Sequence, residues 1–257
     1  MMRPCRLHGS GAIEWPCARK RAVGMNEVRV VRVGSLAKEL LVGLSGIVLI
    51  LFILGHLAGN FFLFTGPDRF NAYAKHLHSL GPLLWAVRLG LLAAFIVHVS
   101  FAIWLALDSR AARTTRYAVR QKACEPNFAK RTMLYSGLTL FAFLVFHIAD
   151  FAFRNQAGPD SVLGGSFAGE SLGLYGIVWN SFANPLHSAL YIVALCAVGL
   201  HFSNAVAVVW MTFGVLPKGG MNAIKHAAQA AGALVAFAFI SIPVYVLAAT
   251  YLGPLHL

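Results

Sequence analysis

The chain has 257 residues, of which 58% are hydrophobic and only 12% charged, with a mean hydropathy of +0.70. A soluble domain is about half apolar and about a quarter charged, so this balance excludes an ordinary soluble enzyme and points to an integral membrane protein. The net charge of +12 does not imply nucleic acid, because the basic residues gather at the N-terminus and between apolar runs, as a membrane topology signal does.

Residues 1–36 read as a basic arm, cytoplasmic and disordered, followed by a five-helix domain over 37–257. The opening MMRPCRLHGSGAIEWPCARKRAVG is rich in Gly and Pro and lacks the apolar centre of a signal peptide. Either Met1 or Met25 serves as a start. Five apolar runs follow, at about 37–64, 82–107, 131–153, 185–213 and 226–251, each long enough to cross a hydrocarbon core of about 30 Å. In lipid the backbone must satisfy its own hydrogen bonds, so these runs are expected to be helices. The expected fold class is all-α, a five-helix transmembrane bundle. Pro82 and Pro185 suit first turns, and Pro243 should kink the fifth helix.

The connections carry unequal charge. The N-terminal arm has eight basic residues (Arg3, Arg6, Arg19, Lys20, Arg21, Arg29, Arg32, Lys38), and the 108–131 loop has seven. The 214–225 loop adds Lys218 and Lys225. On the other side only Arg69, Lys75 and Arg154 are found. The positive-inside rule therefore puts the N-terminus inside and the C-terminus outside.

Each of the first four spans contains one interior histidine: His56, His98, His147 and His201. With that orientation, His56 and His147 lie about 10 Å inside the outer boundary, at about 1.5 Å of rise per residue. His98 and His201 lie about 14–18 Å above the inner boundary. Four imidazoles thus sort into two level pairs. Ionisable groups at this depth are costly and usually functional. Two imidazoles facing each other across a bundle are what bis-histidine haem b requires. Zinc fits less well, since neither level offers a third carboxylate or Cys ligand. Gly59, Ala94, Ala102, Ala197 and Ala205 flank the histidines and would leave room for a macrocycle. His147, with Phe143 and Leu144 behind it and Asp150 ahead, departs from that pattern. His187, fourteen residues before His201, reads as a polar residue at the outer boundary.

Cys5, Cys17, Cys124 and Cys196 form no C-x-x-C pair, so a haem here would be held without thioether links. Cys196 reads as a small packing residue. Lys75, His76 and His78, in the outer connection before the second span, are candidates for a quinone site, where proton donors must stand beside an apolar slot. Arg69, Arg88, Arg131 and Arg154 are candidate partners for haem propionates. Asn60 and Asn204 either share that role or bond their own helices. Ser203 has no evident role.

The motifs HLAGN (56–60), FNAY (70–73) and LHFSNAVAVVW (200–210), with the interior histidines between them, resemble a known family. It is the dihaem cytochrome b anchor subunit of bacterial succinate dehydrogenases and fumarate reductases, of the single-chain five-helix type. The resemblance covers about residues 36–251. It implies two haem b groups, the inner held by His98 and His201 and the outer by His56 and His147. It further implies a flavoprotein subunit, an iron–sulfur subunit, menaquinone as electron partner, and residence in the bacterial cytoplasmic membrane. A glutamate that some members carry on the fourth helix has no counterpart between Pro185 and Phe213.

The chain shows neither a dinucleotide fingerprint nor a ferredoxin-type cysteine run, so it reads as an electron conduit without a succinate site. Two other readings compete. One is the haem b anchor of a formate dehydrogenase or hydrogenase. The other is a proton-coupled transporter using the histidines as a relay; that class is expected to show internal repeats and broken helices, which five unequal spans do not suggest.

Overall fold

The computed structural model describes residues 25–111, 132–163, 171–214 and 220–253. The arm before residue 25, most of the basic 108–131 loop with Arg131, and the C-terminal tail lie outside the described residues. The helices are α1 (Met25–Asn60), α2 (Pro67–Ser79), α3 (Pro82–Ala111), α4 (Met133–Phe151), α5 (Gly173–Ala183), α6 (Pro185–Thr212) and α7 (Gly220–Leu252). Short 3-10 turns occupy Phe61–Thr65 and Pro159–Ser161, and the only β pairing among the described residues is an isolated bridge between Val162 and Ser171. Five helices, α1, α3, α4, α6 and α7, are long and apolar enough to cross a membrane.

The chain divides into a unit over Met1–Leu36 and a unit over Ala37–Leu257. In the first, Met25–Leu36 is helical. That differs from the arm expected there, since α1 starts at Met25 and not near residue 37. The stretch has Gly34 but no proline, and its Met, Glu, Arg and Leu are good helix formers even where the sequence is not apolar. All that follows concerns the second unit.

Its helices alternate in direction. Near the start of α1, Lys38 pairs with Asp108 at the end of α3 (2.6 Å) and lies over the Trp104 ring. Gly43 of α1 faces Thr212 at the end of α6. The closest backbone packing is between α6 and α7. Gly199 and Ser203 on α6 meet Gly232 and Ala236 on α7, each pair four residues apart and so on one helix face. Small residues let two backbones approach where lipid gives apolar side chains no reason to associate. Ser203 thereby acquires a packing role, with its hydroxyl turned back to the Leu200 carbonyl (2.8 Å).

Two shorter helices form where the sequence reading had only connections. Pro67 stands in the first turn of α2 with Asp68 beside it, favourable for a helix start. The FNAY segment explains why α2 is held. Phe70 is buried against Tyr175, and Asn71 clamps the start of α5, donating to the Leu172 carbonyl (2.8 Å) and accepting from the Tyr175 amide (3.1 Å). Tyr73 lies against Gly59 of α1. At the start of α6, Asn184 caps the helix by accepting from the amides of Leu186 and His187, with Pro185 in the first turn. A core of Leu63, Phe70, Tyr175, Val178, Phe182, Tyr191, Ile242 and Val246 closes this end of the unit. The helix α7 continues through Pro243, which is fully buried. Cys196 is exposed on α6 and does not pack in the interior as expected.

Candidate functional site

The four interior histidines meet in the pairs that depth predicted. The ring centroids of His98 and His201 are 6.3 Å apart, and those of His56 and His147 are 5.7 Å apart. His98 belongs to α3 and His201 to α6, while His56 belongs to α1 and His147 to α4.

Hydrogen bonding decides which ring nitrogen is free. His98 Nδ1 lies 3.2 Å from the Val42 carbonyl and 3.4 Å from Ser45 Oγ. A carbonyl only accepts, so Nδ1 must carry the proton and Nε2 keeps its lone pair. Ser45 gives its own proton to the Leu41 carbonyl (2.6 Å) and can accept from the imidazole. His201 repeats this arrangement. Its Nδ1 lies 3.3 Å from Ser136 Oγ, while Ser136 donates to the Met133 carbonyl (3.0 Å) and can accept from the imidazole.

For His147 the argument runs through a carboxylate. Tyr191 Oη donates to Asp150 Oδ2 (2.9 Å), because an ionised carboxylate can only accept. The phenol oxygen is then the acceptor for His147 Nδ1 at 3.4 Å, and again Nε2 is left with its lone pair. His56 stacks on Phe52 at 5.4 Å.

Glycines make room for the rings, though not the one expected. A Cβ on Gly46 would stand 3.4 Å from His98 Cε1, and one on Gly137 would stand 3.4 Å from His201 Cε1. Gly59 instead accommodates the Tyr73 ring, so it leaves no space for a macrocycle. Both histidine cradles come from the same short pattern. Ser45-Gly46 precedes His56 by nine intervening residues, and Ser136-Gly137 precedes His147 by nine. On the partner helices, Pro-Leu is followed after fourteen residues by His-x-Ser-x-Ala, at 82–102 and again at 185–205. The chain therefore carries an internal repeat, α1–α3 and α4–α6, contrary to the expectation that its spans are unrelated. This repeat was the sequence signal for Ser45, Gly46, Ser136 and Gly137.

An iron bound by two imidazoles through bonds of about 2 Å brings ring centroids about 6 Å apart. Both pairs match that spacing. Among the described residues no three His, Cys, Asp or Glu side chains converge as a metal site, so the histidines come in twos. Two protein ligands suit a metal whose other positions are filled by a macrocycle and do not suit tetrahedral zinc. Among the described residues, α1 and α3 approach α4 and α6 less closely than α6 approaches α7, through contacts such as Phe95 on Phe141 (6.0 Å) and Gly43 on Thr212.

Lys75 and His78 line a cleft of about 520 Å³ between α2 and the start of α5, together with Asp68, Asn71 and Gln156; His76 is exposed and stands apart from it. Asn60 donates to the His56 carbonyl (2.7 Å) and so bonds its own helix. Among the candidate propionate partners, Arg69 is exposed and Arg88 lies 5.3 Å from the Trp85 ring. Arg154 bonds Asp160 (2.7 Å), which holds its guanidinium pKa above the usual arginine range, and also reaches Asp150 (3.4 Å). Asn204 is buried on α6. His187 Nε2 lies 2.9 Å from Asp150 Oδ2, off the hydrogen-bonding line, and faces no other histidine of the set.

Length and composition of five helices thus define a multi-pass helical membrane protein. Set beside family models, curated proteins and solved structures, the chain matches none of them.

Proposed function

We propose that the chain is a dihaem cytochrome b, the membrane anchor of a succinate:quinone oxidoreductase. The observation that carries the haem reading is the pairing of His98 with His201 and His56 with His147, with Nδ1 held as a donor in three of the four. Such outer partners fix the tautomer and raise the basicity of a metal-ligating histidine. When bound, haem b supplies one-electron carriage between ferric and ferrous iron. Val42, Ser45 and Ser136 orient the inner imidazoles, while Tyr191 orients His147. Along α1 the level of Gly46, where His98 sits, is ten residues from His56, about 15 Å at helical rise.

The succinate assignment rests on HLAGN, FNAY and LHFSNAVAVVW. With it come the flavoprotein and iron–sulfur partners, menaquinone, the bacterial cytoplasmic membrane and an N-terminus inside. The internal repeat removes one argument against a transporter, but repeated histidine pairs at ligand spacing favour haem. A reduced-minus-oxidised spectrum of the purified protein is expected to show b-type bands, with two haems per chain by extraction. A spectrum without such bands would exclude this function.

For the quinone, we place Lys75 and His78 as proton donors at the outer cleft. His78→Ala is expected to lower quinone reductase turnover several-fold with haem content unchanged. Unaltered turnover would remove His78 from the site.

A further inference from the structure

We infer that Asp150, acting through the Tyr191 hydroxyl, raises the electron density on His147 and lowers the reduction potential of an iron held there. The inference rests on the haem reading above and names the residue that separates the two sites.

Asp150 is only 6% exposed, near the end of a membrane-crossing helix, where an acid needs a reason. Its Oδ2 accepts from Tyr191 at 2.9 Å, and the phenol oxygen faces His147 Nδ1 at 3.4 Å. A phenol that donates to a carboxylate becomes a better acceptor, because chains of hydrogen bonds polarise one another. The imidazole proton is drawn toward Tyr191, and the opposite nitrogen gains donor strength. A stronger donor stabilises ferric over ferrous iron, one of the levers by which a protein sets a haem potential.

The inner pair lacks this device. His98 and His201 point Nδ1 at neutral groups, the Val42 carbonyl and the Ser45 and Ser136 hydroxyls. The internal repeat shows where the halves diverged. The position equivalent to Asp150, three residues beyond the histidine, is Gly59 in the first half, and that equivalent to Tyr191, six beyond the proline, is Arg88. The carboxylate–phenol pair therefore belongs to one of four ligands. Arg154, which donates to Asp150 Oδ1 at 3.4 Å, helps to hold the carboxylate, and His187 Nε2 lies 2.9 Å from Oδ2 without a hydrogen bond.

Tyr191 and Asp150 are thus positioning residues, and two substitutions test them. Tyr191→Phe keeps the ring among Phe143, Phe182 and Phe151 and deletes only the hydroxyl. Asp150→Asn keeps an acceptor without the charge. The readout is a spectroelectrochemical titration of the purified full-length protein with its copurifying subunits. In each variant one haem is expected to shift toward the reduced form by about tenfold in its equilibrium, about 59 mV for one electron. The other haem should not move. Two haems with unmoved potentials, or an equal shift of both, overturn the inference and leave the haem reading intact. Loss of one haem in both variants also overturns it, since the network would then hold the ligand without tuning it. A wild type without b-type bands overturns the haem reading, and this inference with it.

Discussion

If the chain holds two haems as proposed, His201→Ala is expected to halve the b-type absorbance per chain, leaving one of them. The reason is geometric. His201 faces His98 at 6.3 Å, and the His56/His147 pair is about 15 Å away along the helices, too far to be disturbed directly. The cradle of Ser136 and Gly137 would stand empty, and His98 alone would offer one axial bond. His98→Ala should remove the same haem, and the double variant should be no worse than either single one, since residues acting as one unit are not additive. His56→Ala and His147→Ala should each remove the other haem. His187→Ala is expected to leave both, because its ring stacks on Tyr191 and faces neither histidine pair. Retention of two haems in His201→Ala, or loss of both, would sink the assignment of pairs.

The second large effect lies away from the histidines. Gly232→Ala adds a Cβ that runs into the Gly199 carbonyl oxygen and stands 2.7 Å from Ser203 Cβ and 3.0 Å from the Ser203 amide nitrogen. Two of these atoms are backbone and cannot turn aside, so α6 and α7 must part. Overpacking of this kind costs about 1–3 kcal/mol, and here it acts on the most closely packed helix pair. Thermal unfolding in detergent should show a lowered midpoint, with partial loss of the inner haem because Ser203 is two residues from His201. Gly55→Ala is the control: nothing lies within 4 Å of its Cβ, and alanine is the better helix former by about 1 kcal/mol. Equal stability of the two variants would refute the close crossing.

The pairing of the four histidines was legible because depth in a membrane is nearly one-dimensional. Residue counting at a fixed rise places His56 level with His147, and His98 level with His201, before any packing is known. Gly59 shows where counting fails. It lies one turn from His56 and looked like room for a ring, but Tyr73, fourteen residues further on, lies against it. A contact between α1 and α2 cannot be read from the period of either. The Ser-Gly cradles were legible in principle, since the repeat is written in the chain, but no single copy of it distinguishes a cradle from ordinary small-residue packing.

By itself the sequence determined five apolar helices and the relative levels of the histidines. Hydrocarbon admits only self-satisfied backbone, and rise per residue is constant. Only the tertiary structure decided which face each imidazole presents, which of its nitrogens keeps a lone pair, and that Asp150 stands behind His147 through Tyr191. Those features depend on donors and acceptors from helices far apart in the chain. Their directions are set by how α1, α3, α4 and α6 pack, not by the order of residues along any one of them.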